Sequence, residues 1–114
     1  MIINQKKINI ELAKSDADLE KGMGERDFLC RDCGMLFLFP RAGKYGFWMK
    51  GMRFNLDIIW VKDDAIVYIE KNIPYNSLKT YTPDALADKV LEINAGYSDK
   101  NNFKIGDRVE HADI

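Results

Sequence analysis

Histidine is almost missing from this sequence: His111 is the single copy, three residues from the C-terminus. Chain ends usually fray, so His111 is expected to be exposed. No Gly-x-Ser-x-Gly elbow occurs, and Ser15, Ser77 and Ser98 fall in cap or loop contexts. A Ser-His-Asp triad therefore has no footing. Phosphate-binding loops are also absent. Gly22-Met23-Gly24 lacks a Gly-Lys-Ser/Thr ending and reads as the end of a helix. No apolar run approaches the roughly 20 residues that span a bilayer. Met1 to Lys7 holds no hydrophobic stretch with a small-residue cleavage site. As written, the chain reads as cytoplasmic, and a mature exported domain without its signal would read the same way. An excess of one charge sign is missing too. Seventeen basic residues face eighteen acidic ones, and Arg41, Lys44, Lys50 and Arg53 form a scatter, which argues against a nucleic-acid partner.

What is present is ordinary globular material. The 114 residues suit one domain, 1–114, and 46% hydrophobic residues suffice for a core. Lys7 to Ala13 alternates charged or polar residues with Ile8, Ile10 and Leu12, the period of a half-buried strand. Ser15 offers an N-cap for a short helix over 16–21. Gly34 to Phe39 is a continuous apolar run of strand length, stopped by Pro40. Tyr45 to Lys50 is aromatic and strand-like. Asp57–Lys62 and Ala65–Glu70 flank Asp63-Asp64 and make a hairpin. Asn72 to Asp84 reads mainly as loop, Lys89 to Ile93 as a strand, Tyr97 to Asn101 as a helical turn, and Arg108 to His111 as a last strand. The expected fold is α+β and mostly β. It is a small, largely antiparallel barrel or sandwich of six to eight short strands with one or two short helices.

Several segments occur together in one order: Glu11-Leu12-Ala13, Gly34-Met35-Leu36-Phe37, Phe47-Trp48-Met49-Lys50, Leu56-Asp57-Ile58, Val90-Leu91-Glu92, Ala95-Gly96 and Gly106-Asp107. This order resembles the domain of unknown function 192 family, also called the uncharacterised ACR family. Arg26, four residues after Gly22, fits that family's Gly-Leu-Met-x-Arg pattern. The resemblance implies a compact β-rich fold with short helices and no established activity. Many members look secreted or lipid-anchored, so export is an alternative compartment. The sequence departs from the family pattern at Gly51 and Met52, where Asn-Thr is usual, at Asn55, where Pro is usual, and at Met23-Gly24.

The candidate site residues are Trp48, Lys50, Asp57, Arg26 and Glu92. In a strand Trp48 and Lys50 share one face, and Phe47 and Met49 the other. An aromatic platform beside a charged hydrogen-bonding group suits a sugar or another small polar ligand. The plainer alternative makes Trp48 a core residue and leaves Asp57 capping a turn or pairing with Arg26 or Arg53. Asp57 and Glu92 each sit inside an apolar strand, so a hydrolase using both carboxylates is a second reading. A structural ion pair is the bland one.

Cys30 and Cys33 carry three readings: thiols or a local disulfide, half a metal site, or a redox pair. Zinc wants four ligands, and only one distant histidine is on offer. A redox pair of the thioredoxin kind opens a helix, whereas Gly34 and an apolar strand follow here. The sequence implies no cofactor. It favours a binding or accessory module for a small polar ligand, such as a carbohydrate or a cell-envelope component. The alternatives are the Asp57–Glu92 hydrolase and a metal or redox protein through Cys30 and Cys33.

Overall fold

The computed structural model describes residues 1–13 and 21–111. The helix expected over 16–21 lies, apart from Lys21, outside the described residues. Ten strands run in order: β1 Ile2–Ile3, β2 Lys6–Lys7, β3 Asn9–Ala13, β4 Cys33–Gly43, β5 Phe47–Trp48, β6 Leu56–Lys62, β7 Ala65–Ile73, β8 Thr80–Tyr81, β9 Ala87–Asn94 and β10 Val109–Glu110. One helical turn, α1 Tyr97–Lys100, follows β9. Five of these strands are two-residue pairings, too short to leave a pattern in the sequence.

The main sheet has the order β3-β4-β9-β6-β7. Two smaller sheets, β10-β1-β2 and β5-β8, complete the structure. The mostly β, sandwich-like fold is as expected, and no barrel closes. Every pairing in the main sheet is antiparallel except β3 with β4, which is parallel. Residues 14–32 join those two strands, long enough for the crossover that a parallel pair demands.

β6 and β9 lie inside this sheet and are covered on both faces. That explains their near-continuous apolar runs. Leu36, Ile59, Val61, Leu91 and Ile93 pack on one face with Met1, Ile3, Ile8 and Phe103. Met35, Phe37, Ile58, Trp60 and Val90 pack on the other with Met23, Met49 and Met52. Because successive side chains alternate between faces, each strand feeds both clusters.

The β6–β7 hairpin closes through Asp63 and Asp64, at φ 52° and 58°. Two consecutive left-handed residues are the signature of a type I′ turn, whose twist matches the strands, and Asp tolerates that conformation. Pro40 does not end its strand. β4 continues to Gly43 because its register on β9 is interrupted between Leu38 and Gly43. Its pairing with β3 also ends at Phe37, so the missing N–H of Pro40 falls in an irregular stretch. The segment expected as loop over 72–84 contributes the end of β7 and all of β8.

Candidate functional site

Asp57 is fully buried on β6, on the face that carries Ile59 and Val61. Its Oδ1 accepts the backbone N–H groups of Asn72 at 2.8 Å and Gly96 at 3.2 Å. Its Oδ2 accepts that of Ser98 at 2.9 Å. Gly96, at φ 89°, turns the chain so that its own amide and that of Ser98 converge on one carboxylate. Asp57 thus ties the end of β7 to the β9–α1 turn. It organises backbone.

Glu92 occupies the opposite face. On β9 it pairs across the ladders with Met35 of β4 and Ile58 of β6. Its residue is 3% exposed, and among the described residues its Oε1 has no hydrogen-bond partner. Burial alone pushes the carboxyl up to about 8. At neutral pH the group is therefore mainly protonated, with one O–H to donate and a carbonyl oxygen to accept. Gly22 sits directly over it at φ +54°. A Cβ at that position would lie 3.3 Å from Glu92 Oε1 and 3.4 Å from Phe37 Cζ. Only a glycine packs this closely over the buried carboxyl without crowding it.

Glu92 forms part of the floor of a cleft of about 190 Å³. Phe37, Phe47, Tyr45 and Trp48 line it, with Lys50 and Lys21. The Phe37 and Phe47 rings meet edge to face at 4.9 Å, and Phe39 stacks on Tyr45 at 3.7 Å. Trp60, buried behind Phe47, donates from Nε1 to the Tyr45 carbonyl at 2.8 Å and so fixes the wall. Trp48 is 53% exposed, while Met49 beside it is buried. The alternation expected for Phe47 to Lys50 places Trp48 outward, and Lys50 Nζ lies 5.2 Å from the centre of its indole.

Of the expected site residues, Trp48, Lys50 and Glu92 come together. Asp57 does not join them, and the sheet itself separates it from Glu92, so the two carboxylates cannot flank one bond. Arg26 lies beside the cleft, in a neighbouring depression that shares Lys21 and Gly22. It makes a bidentate pair with Glu11, Nη1 to Oε1 at 2.8 Å and Nη2 to Oε2 at 2.5 Å. Cys30 and Cys33 form a disulfide at the turn that opens β4. As metal ligands they would first have to be reduced, and the described residues contain no cluster of three metal-ligating side chains around them. His111, expected at an exposed end, is half-buried, with Nε2 2.7 Å from Asp64 Oδ1. The reading of individual residues missed the aromatic wall and the role of Gly22. The two glycines of Gly22-Met23-Gly24 signal a turn, and nothing local says what that turn packs against.

No curated protein matches the chain. Two solved structures resemble it closely. One is a protein of unknown function from Novosphingobium aromaticivorans DSM 12444, with 34% identity and a TM-score of 0.84 over 90% of this chain and 74% of that one. The other is described as a proposed transcription regulator from Sinorhizobium meliloti 1021, with 31% identity and a TM-score of 0.85 over 89% of this chain and 79% of that one. The family model DUF192, described as uncharacterised ACR, matches residues 1–111. This chain therefore belongs to the DUF192 family of uncharacterised proteins.

Proposed function

We propose that this domain is a binding module for a small polar ligand, a carbohydrate or a cell-envelope component, held in the cleft above Glu92. One observation carries the reading: Glu92, whose buried Oε1 has no partner among the described residues, lines an aromatic-walled cleft. An unpaired buried polar atom costs roughly 1–3 kcal/mol, so structures seldom keep one without reason. A ligand hydroxyl or amide would satisfy both the Glu92 O–H and its carbonyl. The ring faces of Phe47 and Trp48 would cover the ligand's apolar side. The Cys30–Cys33 bridge supports an oxidising compartment, in line with export rather than the cytoplasm.

A thermal-shift screen against mono- and oligosaccharides, organic acids and nucleotides tests this reading. A ligand at about 100 times its dissociation constant adds roughly 2.7 kcal/mol, several degrees in a domain of this size. Stabilisation by a sugar or acid that disappears in Trp48→Ala and in Glu92→Gln supports the reading. Stabilisation that survives both substitutions, or none from any compound, overturns it.

A further inference from the structure

The charge layout of the Glu92 cleft narrows its ligand, and this step rests on the binding reading above. Among the described residues, the acidic and basic side chains that line the cleft are Lys21, Lys50 and Glu92. Lys21 is already matched by Glu25, with Nζ 3.2 Å from Oε2. Lys50 has no carboxylate partner among the described residues, and its ammonium is held against Trp48. Among the described residues no ion pair holds the floor carboxyl, and its burial favours the uncharged form. The cleft thus presents one unmatched positive charge at its mouth and a neutral donor–acceptor at its floor.

Size and walls add two further limits. At about 190 Å³ the cleft is smaller than the roughly 300–1,000 Å³ of pockets that take drug-sized ligands, so one ring fills it. A cationic ligand is disfavoured, because Lys50 already occupies the indole face that would attract it.

We propose that the cleft takes a monoanionic sugar acid of a single ring, with its carboxylate at the Lys50 ammonium and its hydroxyls at the Glu92 carboxyl. The apolar face of the ring lies against Phe47 and the side of Trp48 that Lys50 leaves uncovered. The lysine supplies preference for the acid, and the floor carboxyl supplies hydrogen bonding common to acid and neutral sugar.

Isothermal titration with glucuronate and galacturonate, against glucose, galactose and glucosamine, separates these contributions. The intact domain should bind each uronate about tenfold tighter than its neutral parent, a difference near one charge-assisted hydrogen bond. Glucosamine should bind no better than glucose. In Lys50→Gln each uronate should bind no tighter than its neutral parent measured on the same variant. Lys50 is exposed, so the variant should fold, and circular dichroism confirms that. Equal binding of uronate and parent, or an acid preference that survives Lys50→Gln, overturns the sugar-acid assignment and leaves the binding reading standing. Failure of every one of these sugars to bind overturns the sugar-acid assignment, and the binding reading falls with it only if the thermal-shift screen is also empty.

Discussion

Asp57 and Glu92 lie on neighbouring strands yet face opposite sides of one sheet: Asp57 pairs with Ile93, and Glu92 with Ile58. A step of one residue along an antiparallel ladder reverses the face. The two buried carboxylates therefore have separate tasks. One is saturated by three backbone amides, and the other lines a cleft with one oxygen unpartnered among the described residues.

Asp57→Asn should destabilise the fold by about 2–3 kcal/mol, since it replaces charge-assisted bonds and turns an N–H donor toward backbone donors. Urea unfolding measures the loss. Ligand affinity in the folded variant should stay unchanged, because Asp57 faces away from the cleft. A variant as stable as the parent would contradict the anchoring role.

Glu92 should make stability fall with rising pH. Its folded value of about 8 exceeds the ordinary 4.5, so the folded state holds the proton more tightly. The contribution is full below 4.5 and is lost as pH rises to about 8, at up to roughly 1.4 kcal/mol per pH unit. Glu92→Gln keeps the shape and removes the titration. The difference in melting temperature between the two proteins, followed against pH, should slope through this window and level off above it. A flat difference would contradict the buried, unpaired carboxyl.

Gly22→Ala should cost about 1 kcal/mol or more from its left-handed backbone alone. The added methyl also crowds Glu92 Oε1 and Phe37. Ligand binding should weaken by more than the stability loss accounts for. Denaturation and titration of the same variant provide the comparison, and unchanged affinity would remove Gly22 from the site.

Reduction of Cys30–Cys33 should lower stability modestly. Closing a four-residue loop is worth about 2 kcal/mol by chain entropy. Unfolding with and without a dithiol reductant measures it. The β4 strand should survive, since its pairing with β3 and β9 is independent of the bridge. A reduced domain that recruits zinc stoichiometrically would return these cysteines to metal chemistry.

Much of this architecture was legible in the residues. β6 announced itself by Ile58-Ile59-Trp60-Val61, and the Asp63-Asp64 turn by its composition. Alternation set Trp48 opposite Met49 but left open which of the two is core, and Met49 is the buried one. Other features depended on contacts distant in sequence. Nothing local says which face of β9 Glu92 takes relative to Asp57, because that is set by the β6–β9 register. Gly22 had a visible turn signal, but its place over Glu92 arises only when the turn closes on the sheet. Pro40 misled because its cost depends on whether the partner strand needs its N–H, and here the ladder is already irregular.

The most direct test is the titration of the Glu92 carboxyl itself, followed by carbon NMR in the folded domain. The account predicts a midpoint near 8, shifted by a ligand that occupies the cleft and absent from Glu92→Gln spectra. A midpoint near 4.5, or one indifferent to every cleft ligand, would contradict it.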